Sequence, residues 1–158
     1  MTKKFLFLLA FVPLLLMGCT ASGSNLYEFD HSKLKEQVKD QEFQPELPSK
    51  LPLENMKASF SPIPDQADVQ TFDFFTNGKG NKNHLELLVV NKKASSSNLK
   101  FEEVEIGDLN GQYAVNDEKA QILRWKENNL EYTLTYYGQQ SDKELSKEDL
   151  IETAKSFE

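Results

Sequence analysis

The clearest pattern in the chain is "LEYTLTYY", in which Leu130, Tyr132, Leu134 and Tyr136 alternate with Glu131, Thr133, Thr135 and Tyr137. Period two sustained over such a stretch marks a strand with one buried face. The same alternation in "DVQTFDFFT" sets Phe72 and Phe74 against Asp73 and Phe75. "NGKGNKN" then reads as a glycine-asparagine turn, and "HLELLVVN" as a nearly continuous apolar strand. "MKASFSPI" predicts a first strand. "FEEVEI" offers Phe101, Val104 and Ile106 as apolar positions before a turn at "GDLNG". "QYAV" and "QILRWKE" are further strands, with "NDEK" and "NN" as tight connections.

Helical spacing appears at the end of the chain. In "LSKEDLIETAKSF", Leu150, Ile151, Ala154 and Phe157 form one apolar stripe. Ser146 is a natural N-cap, and Asp149 stands where a capping box places its acid. "FDHSKLKEQVKDQEF" predicts a short helix with Leu34 and Val38 at i, i+4, capped by Asp30 or Ser32. Between them, "FQPELPSKLPLENM" holds Pro45, Pro48 and Pro52, which exclude helix and central strand and leave an extended entry segment. These elements predict an α+β fold: an antiparallel sheet of about six strands with the C-terminal helix packed across its apolar face.

The start of the chain follows a different pattern. Lys3 and Lys4 precede 13 uncharged residues from Phe5 to Met17, interrupted by Pro13. A bilayer-spanning helix needs about 20. A positive start, a short apolar middle and small residues at its end are the design of a secretory signal peptide. The run ends in Leu16-Met17-Gly18-Cys19, which resembles the lipobox of bacterial lipoproteins. That resemblance implies a diacylglyceryl thioether on Cys19, cleavage between Gly18 and Cys19, and Cys19 as the new N-terminus. Two acyl chains are the number that holds firmly, since each buried methylene contributes about 0.8 kcal/mol and one chain is marginal.

The chain then divides into a signal peptide at 1–18, a lipidated cysteine with a flexible "TASGSN" tether and short helix at 19–42, and a single domain at 43–158. Without residues 1–18 the protein has 16 basic against 25 acidic residues, a charge of −9. That balance repels nucleic acid and anionic head groups. Cys19 is the only cysteine, so the fold is held without disulfides.

Candidate chemistry is sparse. His31 and His84 lack a second histidine or cysteine at metal-ligand spacing, and read as a helix-start and a strand-edge histidine. "GKG" at 78–80 lacks the spacing of a phosphate loop. No nucleophile elbow and no calcium loop is present. The expectation is a non-enzymatic domain with no catalytic residue, metal or cofactor. Trp125, Tyr132 and Tyr136 read as core residues. Tyr137, with Thr133 and Thr135 on the same strand face, is left as a possible binding surface.

Three spaced motifs carry a second resemblance. "FQPELPSKLP" has the form F-x-x-x-L-P-x-x-L-P, "LRWKENNLEYTL" frames a turn between W-x-E and a tyrosine, and "LSKEDLIETAKSF" follows S-K-E-x-L-x-x-x-A-x-S. In this order, over roughly residues 43–157, they resemble a family of small extracytoplasmic domains of unknown function. That family occurs in lipoproteins and sporulation-associated membrane proteins of Gram-positive bacteria. It is distantly similar in shape to lipoprotein-sorting carriers and to periplasmic stress sensors. The resemblance implies a curved antiparallel sheet with helical cover and a binding role. The function expected is a lipid-anchored interaction module on the extracytoplasmic face of the cell membrane, its partner an envelope protein or cell-wall component. The alternative is a carrier holding an acyl chain between sheet and helix, although the carriers' half-barrel is larger than this chain provides.

Overall fold

The structure, a computed structural model, describes residues 24–158 apart from 64, 79, 81 and 93–97. Its elements in chain order are β1 (Tyr27–Glu28), α1 (Ser32–Val38), β2 (Lys50–Leu51), β3 (Lys57–Pro62), β4 (Val69–Thr76), β5 (Asn83–Val90) and β6 (Glu102–Ile106). They continue with β7 (Leu109–Val115), β8 (Ala120–Glu127), β9 (Leu130–Tyr137), a 3-10 turn at Gly138–Gln140 and α2 (Lys147–Ala154). Strands β3 to β9 form one antiparallel sheet in the order β3-β4-β5-β9-β8-β7-β6, and β1 pairs with β2 in a separate ribbon. Two meanders thus meet at the β5–β9 seam. The α+β class and C-terminal helix match the sequence reading.

The strand count differs from it, with seven strands in the main sheet instead of about six, plus the ribbon. The reason lies in β6, an edge strand in which only Ile106 is buried while Glu102, Glu103 and Glu105 are exposed. Such a strand has little apolar alternation to read. The ribbon strands have two residues each, too few for any period. "GDLNG" is also not all turn. Gly107, at φ 60°, and Asp108 make the reversal, and β7 already begins at Leu109.

Alternation sorts the sheet into two faces. On the inner face Phe72, Phe74, Leu85, Leu87, Leu123, Leu134 and Tyr136 are fully buried. Over them lie Leu34 and Val38 of α1, Leu47 and Leu51 of the entry segment, and Leu150 and Ala154 of α2, all within one core. The β8–β9 hairpin turns on Asn128 and Asn129, both with positive φ (50° and 65°). Asparagine tolerates this left-handed backbone, which matches the twist of the strands. Both outer strands are guarded against pairing with another chain. Pro62 ends β3, and glutamates line β6.

The C-terminal helix begins as its sequence predicts. The Ser146 hydroxyl accepts from the Asp149 N–H, and the Asp149 carboxylate accepts from the Ser146 N–H. The first helix is capped differently: its N-cap is His31, without a side-chain cap bond. Asp30 instead accepts from the backbone N–H of Ser32. Packing of α1 into the core also moves the start of the folded body. Leu34 and Val38 are buried and Phe29 packs against the same core, so β1 and α1 are part of the folded body.

Candidate functional site

All three motif segments converge on one corner of the inner face. The rings of Trp125 and Tyr132 stack at 5.0 Å and 8°. Phe157, just past α2, meets both edge-on at 5.1 and 5.9 Å. The C-terminus then bonds along the entry segment: Ser49 N–H to the Ser156 carbonyl at 2.9 Å, and Leu47 and Glu158 to each other at 3.3 and 3.1 Å. Glu46 and Glu127 face each other nearby, and burial together with the Glu46 charge raises the Glu127 carboxyl above its ordinary value. The residues that carry the family resemblance therefore close the core. Trp125 is buried here with Tyr132. Tyr136 is buried at the other end of β9, where its hydroxyl donates to the Lys143 carbonyl at 2.6 Å, and its edge borders a groove with Tyr113, Gln121 and Leu145.

Among the described residues no helix packs on the other face of the sheet. Phe101, ahead of β6, reaches over it and covers the Arg124 guanidinium at 4.7 Å. Thr133, Thr135 and Tyr137 all point to this side and are half-buried among their neighbours. Leu88 lies opposite Thr133, and Ile122 lies opposite Thr135.

At one end of this face four polar groups interlock. Asp73 of β4 and Glu86 of β5 are direct cross-strand partners. His84 Nε2 sits 2.8 Å from the Asp73 carboxylate. The His84 ring stacks on Tyr137 at 4.9 Å and 16°, and the Tyr137 hydroxyl donates to Glu86 at 3.2 Å. Burial, followed by the Glu86 charge beside it, pushes the Tyr137 hydroxyl up to about 12. The cluster is half-exposed, with the His84 and Asp73 side chains at 31% and 29%. It can present aromatic surface flanked by two carboxylates to an incoming group.

Sequence reading missed this cluster by placing His84 at a strand edge. It is the second residue of a strand in the interior of the sheet. One signal was available. Symmetric pairing about the 77–82 turn already sets Asp73 opposite Glu86. Tyr137, however, is brought there by the β5–β9 seam, which no local pattern specifies.

The other candidates fall elsewhere. His31 Nδ1 contacts the Pro48 carbonyl at 3.2 Å and so pins α1 to the entry segment. Gly18, Cys19 and Lys79 of "GKG" lie outside the described residues. Among the described residues no group of three or more His, Cys, Asp or Glu side chains is placed to hold a metal ion. No described helix is long and apolar enough to cross a membrane. Compared with known proteins, the chain matches no family model, and no curated protein or solved structure resembles it significantly.

Proposed function

We propose that this protein is a lipid-anchored, extracytoplasmic interaction module, non-catalytic, that offers the helix-free face of its sheet to another envelope protein. The anchor is the diacylglyceryl group on Cys19, inferred from Leu16-Met17-Gly18-Cys19. The observation that carries the binding role is the half-exposed Asp73–His84–Tyr137–Glu86 cluster beside Thr133, Thr135 and Leu88. Aromatic rings with few rotamers to freeze, framed by polar groups, suit a protein contact. The edges of the sheet are guarded, which favours the face over strand addition. The mature charge of −9 disfavours a polyanionic wall polymer as partner. Anchoring confines the domain to two dimensions and raises its effective concentration near membrane partners.

Packing supports this reading over a carrier with an acyl chain between sheet and helix. Leu123, Leu134 and Leu150 meet there at 0% exposure, which leaves that layer filled. The discriminating experiment is crosslinking of the full-length anchored protein in its native membranes, followed by analysis of both proteins and lipids. A near-equimolar protein that is lost with Tyr137→Ala and Thr135→Arg supports the module. Stoichiometric lipid without a protein would make the chain a carrier.

A further inference from the structure

We propose that the anchor also fixes the orientation of the domain: the side bearing α2 and β1 rests against the bilayer, and the helix-free face points away from it. This rests on lipidation of Cys19. The structural ground is where the described chain begins. Ser24 and Leu26 border an open groove of about 1080 Å³ whose other wall is Glu148, Glu152, Lys155 and Phe157 of the α2 region. The following ribbon is fixed on the same side of the sheet. Phe29 N–H donates to the Ser49 carbonyl at 2.8 Å, and the Phe29 ring meets Phe74 of the inner face edge-on at 5.6 Å. The chain therefore leaves the body on its covered side.

Length then decides the orientation. Five peptide units separate Cys19 from Ser24, a reach of at most about 18 Å. The head-group layer takes up roughly 5–7 Å of that. A body of this length is about 35 Å across. To lay the Tyr137 face on the lipid, the tether would have to pass around the domain, and it is too short. Charge has no part in the orientation. Lys50 and Lys155 at the groove are outnumbered by Glu148, Glu152 and Glu158, so no cationic patch draws this side to anionic lipid. The His84–Tyr137 surface is consequently presented to a protein that stands above the bilayer.

The test uses the lipidated full-length chain in phosphatidylcholine vesicles that contain a head-group quencher. Thioether formation consumes the only native thiol, so a cysteine introduced by Lys155→Cys or Lys126→Cys is the sole labelling site. Both positions are exposed, the first beside the groove and the second on the helix-free face. A fluorophore at 155 should be quenched several-fold more than one at 126, with or without anionic lipid. Equal quenching, or the reverse order, overturns the proposal. Inserting about 20 Gly-Ser residues after Ser22 raises the average reach to about 25–30 Å and should shrink the difference. A difference that persists would show that tether length does not set the orientation, and the proposal fails. Labelling of the parent chain at Cys19 would remove the anchor itself, and the orientation with it.

Discussion

The backbone N–H of Glu46 donates to the hydroxyl of Tyr132 at 3.1 Å, joining the proline-rich entry segment to β9 across 86 residues. The entry proline residues limit that segment to the two-residue β2 pairing, so most of its polar backbone must find partners elsewhere. Tyr132 supplies one, and the C-terminal residues supply others. Tyr132→Phe keeps the stack on Trp125 but strands the Glu46 N–H, and should lower stability by about 1–2 kcal/mol. Phe157→Ala removes both edge-on contacts and should cost roughly 2–3 kcal/mol, below the range for a fully buried ring. Urea unfolding of each variant checks both values.

The fold was legible where one periodicity dominated. Leu130, Tyr132, Leu134 and Tyr136 are all buried as alternation requires, and Ser146 with Asp149 forms the expected capping box. Legibility failed where burial is set by long-range pairing. Glu102, Glu103 and Glu105 hide an edge strand, because an edge needs charge more than apolar contact. His84 and Tyr137 are 53 positions apart in the sequence, and only the β5–β9 register stacks them. The proposed anchor is the reverse case: the reading rests wholly on residues 3–19 of the sequence.

Alkaline pH should weaken the fold through tyrosine. Burial, the largest influence on both side chains, pushes the Tyr132 and Tyr137 hydroxyls up to about 12, and carboxylate charges of Glu46 and Glu86 respectively add to it. In the unfolded chain the same groups ionise near about 10. Between those values the unfolded state holds fewer protons, so stability falls as pH rises. Their contribution is whole below about 10 and is lost through about 12. The urea midpoint should therefore decline across that window, and Tyr132→Phe should flatten the decline. A midpoint that stays constant there would contradict the assignment.

Asp73 and Glu86 are like charges directly opposite one another, an unfavourable pair unless neighbours offset it. His84 sits on the Asp73 carboxylate and the Tyr137 hydroxyl on Glu86. His84→Ala should destabilise the protein by about 0.5–1 kcal/mol. Glu86→Gln in the His84→Ala background should recover most of that loss, since the amide oxygen still accepts from Tyr137. A double-mutant cycle reads the coupling directly. Strict additivity would mean that carboxylate repulsion is not what His84 relieves.

The cap of α2 matters beyond its own turn, because Leu150 and Ala154 cover the sheet and Phe157 follows at the helix end. Ser146→Ala removes the acceptor for the Asp149 N–H and should cost about 1 kcal/mol. Ser146→Asp retains an acceptor for that N–H and should recover part of the loss, its favourable charge at the helix start being offset by repulsion from the Asp149 carboxylate, to which the Ser146 hydroxyl donates at 2.8 Å. Loss of amide-exchange protection in residues 147–154 ahead of the sheet would localise the effect to the helix. Equal loss from Ser146→Ala and Ser146→Asp would show that packing at the site, and not the cap bond, is responsible.

Membrane attachment should depend on a single atom, the sulfur of Cys19. Two acyl chains bury enough methylenes, at about 0.8 kcal/mol each, to hold a small domain stably on a bilayer. The described residues offer no evident substitute. The mature chain is acidic, and no described helix is long and apolar enough to cross the membrane. Cys19→Ala should therefore abolish lipid labelling and the mobility shift that accompanies cleavage after Gly18. Two fates of the variant separate the possibilities. Recovery of the soluble domain outside the membrane fraction follows if residues 1–18 act only as a signal. Retention as an unprocessed, membrane-bound precursor would mean that Phe5 to Met17 can anchor the chain uncleaved, and that Cys19 governs processing before it governs attachment.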